Sequence, residues 1–262
     1  MGVTLKQSFK DRVYAEIKAD IVQGRLRPGM RILTRDIGRP LGLSRTPIRD
    51  ALLQLSQEGL VVVSPRRGIF VANRTLDEIE EIRWLLGLLE SAAAARAIRR
   101  MGDAEIRELA EVTRQLVDAC RQRKILKFAE LNAQAHDVFL AACGSPRLRA
   151  LCAKLRDQLH QYPLRMFALP GWMEKSVAEH QTILRAFARR QRAQIESIIR
   201  RHWRFKQPRA AILEALAKAD TGLQADIVVG AGRAPGSRVQ RSRKGSRQLA
   251  RPNVLRTATR RE

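Results

Sequence analysis

Residues 41–71 read LGLSRTPIRDALLQLSQEGLVVVSPRRGIFV. Ser44 can cap a helix over Arg45–Glu58, and Pro47 then falls in its first turn, where a missing N–H costs little. Ile48, Leu52 and Leu55 recur at helical spacing and give that helix one apolar face. After Gly59, the β-rich runs Leu60–Ser64 and Ile69–Ala72 flank Pro65-Arg66-Arg67-Gly68, which reads as a hairpin with a basic tip. Working upstream, Thr34 can cap a short helix that ends by Gly42, and Arg27-Pro28-Gly29 reads as a turn. Ser8–Gln23 has helical spacing through Phe9, Val13, Ile17 and Ile21. Helix, short helix, turn, helix and hairpin in this order is the winged helix-turn-helix plan. In such a plan the N-terminal residues of the second short helix meet base edges in the major groove. Arg45 and Arg49 lie four apart on one face and can pair with guanine in bidentate fashion, while Ser44 and Thr46 offer hydroxyls. Arg66 and Arg67 at the wing tip can reach an adjacent groove or the phosphate backbone. Two arginines alone would fit an ordinary surface helix; the ordered combination points to DNA.

Downstream the texture changes. Residues 75–220 lack β-branched runs, and apolar residues recur three and four apart, as in Ile79, Ile82, Leu85, Leu86 and Leu89. Punctuation at Gly102, at Gly144-Ser145-Pro146 and at Pro170-Gly171 divides the segment into six helices: Thr75–Arg100, Asp103–Cys120, Lys124–Cys143, Pro146–Ala168, Trp172–Arg189 and Arg192–Ala219. The expected fold is therefore mainly α, a winged head over 1–74 followed by an all-helical bundle over 75–220. Residues 221–262, rich in Arg, Ser, Gly and Pro, read as a disordered basic tail, either adding contacts to DNA phosphates or dispensable.

The chain has 262 residues and a formal net charge of +24, from 50 Lys and Arg against 26 Asp and Glu. A charge of this size calls for a polyanionic partner. The segments 1–74, 75–220 and 221–262 carry 14, 26 and 10 basic against 6, 18 and 2 acidic residues, +8 each. Charge density is thus lowest in the bundle and highest in the tail. Hydrophobic residues make up 45% of the chain, which excludes a wholly disordered basic protein. No run of eighteen apolar residues offers a membrane span. The longest apolar stretch, Trp84 to Ala95, is interrupted by Gly87, Glu90 and Ser91. Cys120, Cys143 and Cys152, without a CxxC spacing, read as reduced thiols of a cytoplasmic protein.

Among only four histidines, His136 shares a helix face with Asn132, and His180 and His202 fall on two further helices. Three imidazoles converging from three helices suit Zn, Ni, Fe or Mn. Taken singly, each is as well explained as a core or surface residue. His160 has no evident counterpart.

The motif LGLSRTPIRDALLQLSQEGL resembles the signature of the GntR family of bacterial transcription regulators, approximately G-[VL]-S-R-T-P-[VI]-R-[ED]-A-L-x-x-L-x-x-E-G-L followed by a basic, glycine-tipped wing. The resemblance implies operator contacts by Arg35, Ser44, Arg45, Thr46, Arg49 and the wing tip at Arg67-Gly68. Gly38 and Pro40 depart from it, standing where better helix formers are usual, so a short or distorted helix is expected there. The helical half resembles the FadR subfamily with its FCD ligand-binding domain, whose Asp-x-x-x-His, Glu-His and final His have counterparts in Asn132 to His136, Glu179-His180 and His202. This implies a divalent metal held by Asn132, His136, His180 and His202, with Asn132 a weaker donor than the usual aspartate. A metal-free site in which the histidines hold the effector directly is the alternative. It further implies a small carboxylate effector, with Arg83 either pairing with that anion or lying on a charged surface. A homodimer on a palindromic operator, acting as a repressor in the bacterial cytoplasm, completes the expectation. Two rivals stand beside it, a metal-dependent enzyme built on the three histidines and a nonspecific nucleic-acid packaging protein.

Overall fold

The computed structural model describes residues 8–41, 44–159, 162–205 and 209–214. The basic tail expected over 221–262, and His160, lie outside the described residues.

The N-terminal part runs α1 (Phe9–Val22), β1 (Arg31–Ile32), α2 (Thr34–Leu41), α3 (Arg45–Gln57), β2 (Val61–Ser64) and β3 (Gly68–Val71). Ser8 caps α1 by accepting from the Asp11 N–H at 3.1 Å. Val13, Ile17 and Ile21 form its buried face, and on α3 the buried residues include Ile48, Leu52 and Leu55. The expected hairpin is present, with Ser64 opposite Gly68 and Val61 opposite Val71. It is one strand short of the observed sheet: Arg31 and Ile32 pair with Phe70 and Ile69, giving the order β1-β3-β2. Two residues are too few to leave a periodic signal, so this strand is visible only through its partner. Thr34, expected as the cap of α2, is its first residue, and the helix runs eight residues through both Gly38 and Pro40.

Among the described residues the C-terminal part is built of helices: α4 (Leu76–Ala97), α5 (Asp103–Arg121), α6 (Ile125–Ala142), α7 (Pro146–Leu159), α8 (Tyr162–Phe167), α9 (Trp172–Ala188) and α10 (Ile195–Trp203). A capping box starts α4, with Thr75 and Glu78 satisfying each other's backbone N–H groups. The fourth expected helix is described as α7 and α8, on either side of residues 160–161. The last ends as α10, because Arg204 takes an extended conformation (φ −75°, ψ 141°), and helix resumes over 209–214. Leaving the helix there turns Phe205 toward Tyr162, with ring centroids 5.9 Å apart.

The buried side chains form two clusters with no member in common, one from Val13 to Val71 and one from Leu76 to Ile212. Polar contacts join them. Arg74 donates from Nη2 to the Gly59 carbonyl (2.7 Å) and from Nε to the Gln158 carbonyl (2.8 Å). Lys18 on α1 meets Asp157 on α7 at 2.5 Å. Among the described residues no helix is long and apolar enough to cross a membrane.

Candidate DNA-reading helix and histidine site

The first turn of α3 presents its polar groups outward. Ser44 holds the cap position with extended backbone (φ −66°, ψ 166°), yet its hydroxyl makes no capping hydrogen bond. The hydroxyl expected to close the helix is left for another partner. Arg45, Thr46 and Arg49 are exposed, and neither arginine has an ion-pair partner among the described residues. With Ile48 and Leu52 buried underneath, the helix is fixed by its apolar face while these groups face solvent. Arg35 on α2 is 76% exposed and loosely paired with Asp36 at 3.5 Å. At the wing tip, Arg66 and Arg67 are exposed; Arg66 has the left-handed φ of 64° and Gly68 a φ of 118°. A side chain at position 68 would also press on Arg31, whose Nε would lie 3.0 Å from the added carbon.

In the bundle, α6, α9 and α10 bring His136, His180 and His202 together, with ring centroids 4.9 to 5.2 Å apart. Their ligand atoms all lie within 4.8 Å of one another. Each imidazole is held from behind at Nδ1. His136 meets the buried Glu90 carboxylate at 2.6 Å, His202 meets Glu179 at 2.8 Å, and His180 meets the Ser176 backbone carbonyl at 2.9 Å. Three acceptors at Nδ1 place the proton there in each neutral ring and leave Nε2 as a lone pair. The Nε2 atoms of His136 and His202 face each other at 3.2 Å. The Nε2 of His180 is buried without a hydrogen-bond partner among the described residues. A cation shared by the three rings would satisfy these atoms.

The local electrostatics agree. Burial pushes His180 well below the ordinary histidine value, and the two neighbouring imidazoles add to it. Burial also lowers His202, against the opposing hydrogen bond to Glu179. Both rings are therefore neutral at neutral pH, as a metal ligand must be. Glu90 moves the other way: burial would raise its carboxyl, but His136, Arg156 and the Trp203 indole outweigh this and hold it below the usual range. The Trp203 N–H donates to Glu90 at 2.9 Å, and Arg156 lies 3.8 Å away while also pairing with Asp137.

Asn132 is only partly buried and its Oδ1 accepts from the Ser176 hydroxyl at 3.0 Å, which ties it to the residue that orients His180. Asn132, Ser176, Glu179 and His202 all line a cavity of about 640 Å³, and Arg83 lines it too. The Arg83 guanidinium stands 4.5 Å from the Phe205 ring and 5.3 Å from that of Trp203, and its Nε is buried without a hydrogen-bond partner. Of its two expected positions, the cavity is the one observed.

Motif reading misses the supports. Glu90, which donates nothing to a family pattern, carries His136, and its signal was a carboxylate inside the apolar run from Trp84 to Ala95. Ser176 lies one turn before His180, and only the fold shows that its carbonyl, not its hydroxyl alone, holds the ring. Tyr162 also lines the cavity, with its hydroxyl buried and unpartnered.

Comparison with known proteins bears on both halves. The model for bacterial regulatory proteins of the gntR family matches residues 9–71, and the model for the FCD domain matches 81–205. The HTH-type transcriptional regulator McbR of Escherichia coli (strain K12) is 32% identical over 123 residues, 46% of this chain and 56% of McbR. The chain thus spans little more than half of that relative's length. An HTH-type transcriptional regulator from the TAR-I ttuE-ttuC' intergenic region of Agrobacterium vitis is 32% identical over 123 residues, 45% of this chain and 70% of the relative. The HTH-type transcriptional repressor GlaR of Escherichia coli (strain K12) is 29% identical over 197 residues, 72% of this chain and 90% of GlaR. The solved structure of E. coli McbR/YncC superposes with a TM-score of 0.66 at 19% identity, covering 82% of this chain and 99% of that one, so the fold is shared. These relatives are all named as transcriptional regulators. The chain belongs to the GntR family of bacterial regulatory proteins and carries an FCD domain behind its gntR segment.

Proposed function

We propose that this protein is a ligand-controlled transcriptional repressor. Residues 1–74 read one half of a palindromic operator, and residues 75–220 bind an organic acid beside a divalent metal. Two-fold symmetry of a homodimer matches two half-sites. In this reading Arg45 and Arg49 address bases, Ser44, Thr46 and Arg35 add base or phosphate contacts, and Arg66, Arg67 and Gly68 let the wing follow the backbone. Repression is supported by the naming of GlaR as a repressor. A bacterial regulator acting on an operator works in the cytoplasm.

The observation that carries the sensing half is the arrangement of the three imidazoles, each fixed at Nδ1 with its Nε2 turned toward the other two. Metal-binding histidines are characteristically held this way by an outer acceptor. His136, His180 and His202 would hold Zn, Ni, Fe or Mn, with Asn132 as a neutral fourth donor once it turns from Ser176. When bound, the ion supplies a Lewis-acidic centre with open positions for carboxylate oxygens. Arg83 adds a positive charge at the same cavity.

Communication with the head has a material route. Arg156 and Asp157 are consecutive on α7: Arg156 engages Glu90, the carboxylate behind His136, and Asp157 holds Lys18 of the head. Lys18 lies 3.3 Å from the Tyr14 hydroxyl, which donates to Glu58 at 2.6 Å, and Glu58 is the C-cap of α3. A shift of α7 that follows occupancy of the histidine site is thereby delivered to the end of the reading helix.

The test combines elemental analysis of the purified full chain with a gel-shift titration on its own upstream DNA. About one divalent ion per chain is expected, together with preference for that DNA over random sequence at moderate salt. Equal affinity for both would return the reading to nonspecific packaging, and an absence of metal after supply of Zn, Ni, Fe and Mn would leave the histidines as direct effector ligands.

A further inference from the structure

The class of acid can be read from what surrounds Arg83. A volume of about 640 Å³ is far larger than a two- to four-carbon acid requires, and lies in the range of about 300–1,000 Å³ used for drug-sized ligands. Part of its wall is apolar: Leu159, Leu164, Met166, Phe167, Trp172 and Phe205. Its charged residues are mostly committed. Arg156 is paired with Asp137 and Glu90, Lys127 with Glu130 at 3.1 Å, Asp157 with Lys18, and Glu179 accepts from His202. Lys175, 5.8 Å from the Trp172 ring, and the exposed Arg204 line it as well.

Two buried polar atoms of the residues lining this cavity have no hydrogen-bond partner among the described residues: Arg83 Nε and the Tyr162 hydroxyl. A buried polar atom without a partner carries a desolvation cost unless something fills the position. Both can donate, Arg83 because a guanidinium keeps its protons and Tyr162 because burial pushes its phenol above the ordinary value. Phe205 joins them, lying 4.5 Å under the Arg83 guanidinium and edge-on to the Tyr162 ring. One arginine and one phenol suffice for a single carboxylate, and Leu159, Leu164, Met166, Phe167, Trp172 and Phe205 beside them carry no charge.

Resting on the organic-acid reading above, we propose that the effector is a monocarboxylate with a large apolar body. Its carboxylate is taken by Arg83 and Tyr162 beside the histidine site, and its body lies against the Leu159 to Phe205 wall. Tyr162 is on this view a binding residue that the family motifs do not mark.

The experiment is calorimetry on the zinc-loaded full-length protein with acetate, succinate, hexanoate and 4-phenylbutyrate, alongside the fluorescence of Trp172 and Trp203 in the cavity wall. Each buried methylene is worth about fourfold in affinity. Hexanoate and phenylbutyrate are expected to bind at least tenfold more tightly than acetate or succinate. Tyr162→Phe removes a hydroxyl that has no protein partner, so it should fold normally and weaken phenylbutyrate about tenfold, as expected for loss of a hydrogen bond to a charged group. Succinate equal to or tighter than hexanoate overturns the assignment of a monoacid with an apolar body, while leaving the organic-acid site intact. Unchanged phenylbutyrate affinity in Tyr162→Phe overturns the role of Tyr162. Failure of all four acids to bind, with zinc present, removes the organic-acid reading itself and this inference with it.

Discussion

The reading helix and the histidine site keep their polar groups ready in opposite ways. On α3 the groups proposed to meet DNA are exposed, and Arg45 and Arg49 have no ion-pair partner among the described residues, because a solvated arginine costs nothing to leave waiting. In the bundle the corresponding groups are buried, where an unpartnered polar atom is expensive. There every imidazole is secured on one side by Glu90, Glu179 or the Ser176 carbonyl, and only the side facing the centre is left over. A surface site can thus be built from single residues on a rigid scaffold, whereas a buried site needs a supporting shell drawn from other helices. Mutations should therefore cost binding but not stability on α3, and both in the bundle.

The largest effect should come from Glu90→Ala, which leaves His136, Arg156 and the Trp203 indole facing an empty position in the core. Removing one partner of a buried charged network costs about 3–5 kcal/mol. Urea unfolding followed by circular dichroism should show the loss, and Glu90→Gln should recover part of it. An unchanged midpoint in Glu90→Ala would break the contrast with α3.

Next comes the metal. Loss of an outer acceptor behind a ligating histidine typically costs about 10–100-fold in metal affinity, and His180→Ala, which removes a proposed ligand outright, should exceed this. Operator binding without effector should persist while the effector response disappears. The metal-free wild type should also be acid-sensitive. His180 and His202 have folded-state values below the ordinary 6.5, so the unfolded chain binds protons that the folded chain does not. Stability is then highest above about pH 6.5 and falls as the pH drops below it. A flat stability profile between pH 7 and pH 5 would contradict the burial of neutral imidazoles.

Arg45→Ala and Arg49→Ala probe the other side of the contrast. Each should weaken operator binding by about 1–3 kcal/mol if it addresses a base, with thermal stability within about 0.5 kcal/mol of wild type, as for surface substitutions generally. A mutant that loses stability instead would show that the exposed face of α3 serves the fold.

The same contrast explains what could be read from the sequence. The winged head was legible because its signals are local: Ser44 at a cap, Pro47 in a first turn, Ile48, Leu52 and Leu55 one turn apart, and glycine at the wing. The helical half was legible as helices and as a set of histidines, because periodicity and residue type are sequence properties. Glu90, Ser176 and Tyr162 were not, since their roles depend on which helices pack together. The strand β1 and the break at Arg204 escaped for a related reason: the first is fixed by pairing with β3, and the second goes with the packing of Phe205 against Tyr162, neither of them a local pattern.

The smallest expected effect concerns the joint between the two regions. Lys18 and Asp157 are each 28% exposed, so their ion pair is partly screened and contributes about 0.2–1 kcal/mol to stability. Lys18→Ala should hardly change unfolding, operator affinity or metal content when each is measured alone. Its consequence should appear only in the coupling, as a smaller shift in operator affinity when effector is added. Asp157→Ala should act in the same way, and the double mutant should be no worse than either single one, because both remove one contact. Additive losses would mean that the two residues act through separate neighbours, and a full effector response in the double mutant would place the route between cavity and reading helix elsewhere, with the Arg74 contacts to Gly59 and Gln158 the next to be cut.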